Sequence, residues 1–365
     1  MIFDRFRTSQ HTIEKLKYLI EQSATKSISI MEVCGTHTMA MFRYGIRQLL
    51  PENIKLISGP GCPVCVTENR LIDKMIWLAK QEDIIVATFG DMLRVPGSSS
   101  SLYIEKAKGA NVQIVYSPLI AVDMALKYPD KKIVFIAVGF ETTIPAIAVA
   151  IKSAKEMNIR NFFILCANKT VPKALETLAS MDNKVDGFLL PGNVSSIIGS
   201  RVYEILAKKY GIPGVITGFE PLDLMNAIYM IVKMIHDTKS EITNAYSRAV
   251  SELGNIKAQA VIAEVYEPCD AVWRGLGLIP GSGMWLKDGY LDFDIEKNID
   301  IRIDDPKEPE GCLCGQILCG TKIPPDCPFF GTRCIPEDPV GPCMVSTEGT
   351  CAAYYKYQDE ERDGL

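Results

Sequence analysis

The feature that most constrains the fold is a series of eight short apolar runs, each followed by a Gly- or Pro-containing turn and a helical pattern. The runs are ISIMEV (28–33), IKLISG (54–59), DIIVATFG (83–90), VQIVYS (112–117), KIVFIAVGF (132–140), NFFILCA (161–167), GFLLPG (187–192) and PGVITGF (213–219). They are hydrophobic along nearly their whole length, which is typical of strands buried on both faces. Because strands that alternate with helices form βαβ units, we predict an α/β protein with parallel sheets.

Motifs in the two halves of this series resemble each other in the same order. The turns VCGTHTM at 33, GPGCPVC at 59 and TFGDMLR at 88 have counterparts in VGFETTIP at 138, LPGNVSSIIG at 190 and TGFEPLD at 217. We therefore predict two similar parallel-sheet α/β domains around a cleft, at 1–120 and 121–240, and a small C-terminal region at 241–365. A duplication is one hypothesis for the origin of the two domains. Ligands of such sheets bind beyond the carboxyl ends of the strands, so we expect all six turns around one cleft.

Composition and charge narrow the classes of function. The N-terminal segment has no apolar core of a signal peptide, and no apolar run is long enough to span a membrane, so we expect a cytoplasmic protein without a membrane partner. The net charge is −5 and no dense Lys/Arg cluster occurs, so we expect no nucleic-acid partner. In a reducing compartment, the 12 cysteines indicate metal binding or redox chemistry rather than a disulfide framework.

Three cysteines lie in the early turns. Cys34 follows a predicted strand and begins a helical pattern, where backbone N–H groups and the helix dipole favour a thiolate. His37 lies three residues later and can stabilise that thiolate or transfer a proton. Cys62 and Cys65 form a C-x-x-C pair, which permits a disulfide, shared metal binding or thiol exchange. A structural zinc site made by these four residues is a competing hypothesis, although structural zinc usually holds small or loop-rich units.

Seven further cysteines lie between residues 312 and 351, in a segment rich in Pro and Gly. Four of them are widely spaced and lack the tight C-x-x-C knuckles of a zinc ribbon. Widely spaced sets of four cysteines are typical ligands of an iron–sulfur cluster. The predicted ligands are Cys327, Cys334, Cys343 and Cys351. Cys312 and Cys314 remain as a redox-active pair or as substitute ligands, and Cys319 is unexplained.

Eight segments also resemble, in order, the signature segments of the hydrogenase maturation factor HypD family. They are CGTHTM, GPGCPVCV, FGDMLRVPGS, GFETT, PGNVSSIIG, ITGFEPLD, WRGLG and DCPFFGTRCIPEDPVGPCMVSTEGTCAAYYKY. The resemblance runs from about residue 30 to residue 357. In one of these segments the family commonly has His and Thr where this chain has Asn193 and Ser196.

This resemblance implies two α/β domains and a C-terminal region that holds a [4Fe-4S] cluster. It implies a scaffold that assembles the Fe(CN)2CO unit of [NiFe]-hydrogenase together with the small chaperone HypC. Cyanide would come from HypE, and the finished unit would pass to the precursor of the hydrogenase large subunit. The iron-binding cysteine of the family corresponds to Cys34, and its C-x-x-C pair corresponds to Cys62 and Cys65.

The residues agree with these implications. A soft thiolate is a suitable ligand for iron that carries cyanide and CO, and a dithiol–disulfide couple can relay electrons. From position alone, we predict Thr36, Asp91 and Glu141 as supporting groups around the iron, although Asp91 and Glu141 are equally suited to capping helices. One alternative function is a thiol–disulfide oxidoreductase that uses a cluster as electron donor, and another is a zinc-stabilised binding protein.

Overall fold

The computed structural model describes residues 10–181 and 185–362, with side chains through residue 357. Within these ranges the strands form two parallel sheets and one antiparallel hairpin. The strands are β1 (Ile28–Glu32), β2 (Ile54–Ser58), β3 (Ile84–Thr88), β4 (Val112–Ile114), β5 (Lys132–Gly139), β6 (Phe162–Asn168), β7 (Gly187–Pro191), β8 (Gly214–Thr217), β9 (Ile242–Asn244), β10 (Tyr266–Trp273) and β11 (Gly277–Leu286). Sheet A has the order β2-β1-β7-β8-β9 and sheet B the order β4-β3-β5-β6. All pairings within both sheets are parallel.

Helices connect the strands and cover the sheets. They are α1 (Gln10–Ser23), α2 (Gly35–Arg43), α3 (Ile46–Leu49), α4 (Asn69–Ala79), α5 (Leu102–Ala107), α6 (Pro118–Lys127), α7 (Ile144–Glu156), α8 (Val171–Ser180), α9 (Gly192–Ile198), α10 (Glu204–Tyr210), α11 (Pro221–His236), α12 (Ile256–Val265), α13 (Ile295–Asn298), α14 (Cys314–Leu318) and α15 (Thr350–Arg362). Among the described helices, none combines the length and the apolar character needed to cross a membrane.

The α/β prediction is confirmed, because each of the eight apolar runs contains one of the strands β1 to β8. Short β9 was not predicted, since its three residues are only half-buried and carry no apolar run.

The sheets do not follow the boundaries predicted at residues 120 and 240. Sheet A takes β1 and β2 from the start of the chain and β7 to β9 from after residue 186, whereas sheet B is built from residues 84–168 between them. The segments 1–120 and 121–240 therefore each contribute to both sheets. Local hydrophobicity identifies strands, but the pairing of strands depends on contacts between residues far apart in sequence, which the pattern does not contain.

The two sheets nevertheless have similar topology. Numbered by their appearance within each sheet, the strands have the order 2-1-3-4 in sheet B and 2-1-3-4-5 in sheet A. The motif likeness does not match this equivalence, because it pairs the turn after β1, the first strand of sheet A, with the turn after β5, the third strand of sheet B. The likeness of the turns is therefore no support for a duplication.

Three apolar clusters hold the layers together. Helices α1, α2 and α11 pack on one face of sheet A, and α6, α7 and α12 pack on one face of sheet B. The remaining faces of both sheets share a third cluster, which includes Met31 and Leu190 from sheet A and Val86 and Ile136 from sheet B. This cluster continues into the cysteine-rich tail through Cys343. The sheets and the tail therefore form one packed body.

The β10–β11 hairpin fastens the C-terminal half to this body. Trp273 is buried, its Nε1 donates to Ser282 Oγ at 2.8 Å, and its ring stacks on Phe140 with centroids 5.7 Å apart. The adjacent Arg274 donates to the Thr67 carbonyl oxygen and to Asn69 Oδ1 at the start of α4. The WRGLG segment thus holds the turn after β2 against the turn after β5.

Candidate functional site

A cavity of about 210 Å³ lies where the carboxyl ends of the two sheets meet. It is lined by residues of the turns after β1, β2, β5 and β7, and by Val171 and Glu348. The neighbours β1 and β7 flank the point in sheet A where the strand order reverses, and a ligand site is common at such a point. Four of the six predicted turns therefore line one cleft. The other two lie around it, since Asp91 contacts the tail and Phe219 packs on His37.

Cys34 lies on this cavity as the N-cap residue of α2, with a thiol that is 5% exposed. Burial and, to a smaller extent, the nearby Glu348 carboxylate raise the pKa of the thiol to about 11. The Thr36 hydroxyl and the backbone N–H groups of Thr36 and His37 act in the opposite direction. The expected helix effect is present but smaller than the cost of burying a charge. Cys34 is therefore a thiol near pH 7, and a metal that binds it must displace the proton.

Two glycines let the segments around Cys34 approach each other. A Cβ on Gly35 would lie 2.1 Å from the Glu348 carbonyl oxygen, and a Cβ on Gly61 would lie 2.0 Å from the Val33 carbonyl oxygen. Neither contact is possible for another residue type without moving the backbone. Glycine at both positions explains how the loop after β2 and the tail reach the start of α2.

Glu348 is the cavity residue that the sequence reasoning missed. Its Oε1 accepts a hydrogen bond from Thr36 Oγ1 at 2.8 Å, and burial raises the pKa of its carboxyl group. The available signal was its position between Cys343 and Cys351 in the segment STEGT. Nothing in that pattern indicates that this turn of the tail would reach the end of β1.

His37, predicted to stabilise the Cys34 thiolate or to transfer a proton, is enclosed by the fold. The imidazole is buried and packs on Phe219 with ring centroids 4.8 Å apart. Among the described residues, neither ring nitrogen has a hydrogen-bond partner of good geometry. Burial lowers the pKa of His37 to about 4, although the backbone at Gly218 and Thr217 opposes the shift. The ring is thus neutral near pH 7 and gives Cys34 no positive charge, whereas proton transfer stays a prediction.

The three predicted supporting groups lie at different distances from the cavity. Thr36 is next to Cys34 and binds Glu348, as described above. Asp91 is exposed and accepts a hydrogen bond from Ser346 Oγ in the tail at 3.3 Å. Glu141 is buried, and its Oε1 accepts from the Val171 backbone N–H at 2.9 Å. Glu141 therefore caps α8, while its Oε2 has no partner among the described residues.

Cys62 and Cys65 are joined by a disulfide in the loop between β2 and α4, and both are buried. The predicted zinc site is not assembled, because neither sulfur is a free thiolate and the His37 ring packs on Phe219. Within the described residues, no group of three or more His, Cys, Asp or Glu side chains is arranged to hold a single metal ion. Cys65 Sγ lies 3.8 Å from the carbonyl oxygen of Pro342, which precedes Cys343 in the tail. The disulfide therefore contacts the cysteine-rich segment.

Six cysteines of the tail surround a second, small and apolar cavity of about 10 Å³. They are the four predicted cluster ligands Cys327, Cys334, Cys343 and Cys351, together with Cys312 and Cys314. Cys319 is not among them, and its thiol donates to the Gly275 carbonyl oxygen at 3.2 Å. The structure thus brings the four predicted ligands together and adds two more cysteines.

The six cysteines are not equivalent. Cys314 Sγ and Cys343 Sγ lie only 2.7 Å apart, well inside the normal contact distance of two sulfur atoms. Burial raises the pKa of both Cys312 and Cys334, and the neighbouring Cys327 and Cys351 raise both further. The cavity therefore contains one close sulfur pair, which is not isolated, because Cys343 also interacts with Cys351 and Cys314 with Cys312.

Comparison with known proteins identifies the family of this chain. The HypD family model, described as "Hydrogenase formation hypA family", matches residues 7–358. A putative hydrogenase expression/formation protein of Methanocaldococcus jannaschii is 46% identical over 346 residues, covering 95% of this chain and 96% of that protein. The hydrogenase maturation factor HypD of Cupriavidus necator is 44% identical, covering 90% of this chain and 89% of the relative. HypD of Escherichia coli K12 is 41% identical, covering 99% of both chains. The chain belongs to the HypD family of hydrogenase maturation factors.

Proposed function

We propose that this protein is a scaffold on which the Fe(CN)2CO unit of [NiFe]-hydrogenase is assembled, with Cys34 as the ligand of the iron. The observation that carries the proposal is a free thiol on the cavity between two sheets, at the point where the strand order of sheet A reverses. A thiolate is a soft ligand that suits iron with cyanide and CO. Binding of the iron releases the thiol proton, which offsets the cost of burying the charge.

The cavity suits this cargo because it is shielded from solvent. Its walls include Val33, Phe140 and Val194, which are all buried. The stacking of Trp273 on Phe140 and the packing of the tail on Gly35 close the cavity from two sides. These contacts keep water away from the iron ligands during assembly.

The tail is proposed to hold a resident [4Fe-4S] cluster. The fit is supported by six cysteines around one apolar cavity, since cluster ligands bind different irons and need not converge on a single metal position. The cluster supplies electrons when it is bound. The sulfurs of Cys314 and Cys343 are too close together for both to bind separate irons of one cluster. The four ligands that spacing predicts, Cys327, Cys334, Cys343 and Cys351, include only one member of this pair. If the pair instead stays together, Cys312 takes the place of Cys343, and we propose this second set.

The close pair Cys314 and Cys343 then serves a redox role beside the disulfide. Pro342, next to Cys343, contacts Cys65, so the two sulfur pairs are neighbours in the structure. Exchange between them is balanced: the dithiol pair is oxidised to a disulfide while Cys62–Cys65 takes up two electrons and two protons to become a dithiol. Two reducing equivalents are thereby delivered next to the loop that lines the Cys34 cavity.

HypC and HypE are the proposed partners, and the large-subunit precursor is the proposed acceptor. HypC must reach Cys34 if both proteins bind the same iron, so its contact surface is expected at the mouth of the cavity near exposed Thr142. Chemical crosslinks confined to the outer face of the tail, away from residues 34–65 and 140–143, would contradict shared binding of the iron.

Infrared spectroscopy tests the role of Cys34. The complex with HypC is purified anaerobically from cells that produce HypE and HypF, and wild type is expected to show cyanide and carbonyl stretching bands. Cys34→Ala should lose these bands and keep the visible absorption of the cluster, because one small side chain at a turn contributes little to stability. Cys269→Ala is the matched control, since it removes a half-buried cysteine outside both cavities. Unchanged bands in Cys34→Ala would mean that another residue binds the iron.

Metal analysis and serine variants test the tail. About four irons with matching sulfide are expected per chain, whereas zinc without sulfide would support the zinc-stabilised alternative. Cys312→Ser should bleach the visible absorption, and Cys343→Ser should retain it. The opposite result would return Cys343 to the ligand set.

A thiol–disulfide oxidoreductase is the second candidate, favoured by the Cys62–Cys65 disulfide. Both of its sulfurs are buried, so a protein substrate reaches them only if the structure opens. Reduction of disulfide substrates by the purified protein without HypC would support this alternative.

A further inference from the structure

We propose that Asn193 and Thr143 bind the two cyanide ligands of the iron unit through hydrogen bonds, one from each sheet. The inference rests on the proposed function of Cys34 and adds the residues that orient the unit on it. Both side chains line the cavity, Asn193 in the turn after β7 of sheet A and Thr143 in the turn after β5 of sheet B.

The orientation of the Asn193 amide is set by its neighbours. Its Oδ1 accepts the Val194 backbone N–H at 2.9 Å and lies 3.9 Å from Cys34 Sγ. Because the Val194 N–H is a donor whether or not Cys34 carries its proton, the carbonyl end of the amide faces Val194 and the NH₂ group takes the other position. Among the described residues, Asn193 Nδ2 has no hydrogen-bond acceptor. A hydrogen-bond donor is therefore held beside the iron-binding sulfur without a protein partner.

Thr143 offers a second such donor. It is the N-cap residue of α7, yet its side chain makes no capping hydrogen bond, and its hydroxyl has no partner among the described residues. The side chain is half-buried and packs over Gly139, where an added Cβ would lie 2.7 Å from Thr143 Oγ1. Gly139 thus leaves the space that Thr143 fills. A hydroxyl that does not cap its helix is available to a ligand in the cavity.

The two cyanides of the Fe(CN)2CO unit suit two hydrogen-bond donors, and its CO suits an apolar wall. The nitrogen of a metal-bound cyanide carries negative charge and is a good hydrogen-bond acceptor, whereas the oxygen of bound CO is a poor one. Two donors therefore suit two cyanides. The CO is left for the apolar part of the wall, formed by Val33, Phe140, Val171 and Val194. Glu348 is less suited to cyanide, because its Oε1 is already occupied by Thr36.

Infrared spectroscopy of the complex described above separates this inference from the proposed function. Asn193→Ala and Thr143→Val each remove one donor, and each is expected to shift at least one cyanide band while the carbonyl band moves much less. Cyanide labelled with ¹³C identifies the bands. Asn193→His restores a donor and should bring the band back toward its wild-type position, which a purely structural role of the amide does not predict.

Two controls match the substitutions. Thr177→Val makes the same exchange as Thr143→Val on α8, where the hydroxyl bonds to Lys173 O away from the cavity. Asn111→Ala makes the same exchange as Asn193→Ala at an exposed position, where Oδ1 accepts from Gln113 Nε2 away from the cavity. Neither control should move a cyanide band, and all variants should keep the visible absorption of the cluster.

The possible results are distinct. Shifted cyanide bands in the two variants and not in the controls support the inference, as does loss of all bands in Asn193→Ala that Asn193→His reverses. Cyanide bands at wild-type positions in both variants overturn it while leaving Cys34 as the iron ligand. Absence of bands from the wild-type complex overturns the proposed function, and this inference with it.

Discussion

Replacing Glu141 by Gln is expected to change how the stability of the protein depends on pH. Glu141 is buried at the end of β5, and its Oε1 caps α8 through the Val171 N–H while Oε2 has no partner among the described residues. Burial raises the pKa of this carboxyl group from its ordinary 4.5 to about 7, and the hydrogen bonds to backbone N–H groups only partly oppose the shift. Gln retains an acceptor for Val171 but cannot ionise.

The sign and size of the effect follow from proton binding. Between pH 4.5 and 7 the folded protein holds the Glu141 proton and the unfolded chain does not, so the free energy of unfolding falls as pH rises through this window. A shift from 4.5 to about 7 corresponds to roughly 3 kcal/mol at 1.36 kcal/mol per unit. The unfolding entropy of a 365-residue chain is about 0.8 kcal/mol per degree, so the difference in Tm is about 4 °C.

The assay is thermal unfolding of wild type and Glu141→Gln at several pH values from 4 to 8, under anaerobic conditions. The quantity of interest is the difference in Tm between the two proteins, because all other titrating groups cancel in it. From pH 4 to pH 8, the Tm of the variant should rise by about 4 °C relative to the Tm of wild type. Its absolute level includes the cost of a buried amide without a partner, about 1–3 kcal/mol, and is not the test. The exposed control Glu82→Gln should give a constant difference, and a constant difference for Glu141→Gln would refute the reasoning.

Three further predictions concern the packing around the site. Gly35→Ala should loosen the tail, because its Cβ would lie 2.1 Å from the Glu348 carbonyl oxygen, and limited proteolysis should cut the tail faster than in wild type. Arg47→Met should cost about 3–5 kcal/mol in urea unfolding, since it leaves the fully buried Glu32 carboxylate without its ion-pair partner, and adding Glu32→Gln should recover part of the loss. Asp294→Asn should gain in stability relative to wild type as pH rises from 4 to 7, because burial raises the pKa of Asp294 to about 6, and parallel curves would contradict this.

The sequence predicted the strands of both sheets well, and it placed Cys34 at a strand end, because both are local features. A buried parallel strand is a run of apolar residues, and a cysteine at the end of such a run is visible without any knowledge of pairing. The cleft around Cys34 was predicted for the same reason, since strand ends of parallel sheets always meet at one edge.

The features that were missed depend on contacts across long distances in sequence. Glu348 is 314 residues after Cys34, and only the docking of the tail on Gly35 brings the two together. The closeness of Cys314 to Cys343 spans 29 residues of irregular chain, so spacing alone does not show it. The burial of His37 was also not visible, because spacing along the chain gives no measure of burial.

The interleaving of the two sheets has a consequence for how the chain emerges from the ribosome. Sheet B is continuous in sequence and can form as soon as residue 168 has been made, whereas central β1 in sheet A must wait for its neighbour β7. Their separation, from residue 32 to residue 187, is 155 residues, or about 8 to 30 s of synthesis at 5–20 residues per second. During this interval one edge of an apolar strand has no partner, which is a hazard for aggregation. Nascent chains of this protein are therefore expected to need a chaperone most between the completion of β2 and the arrival of β7.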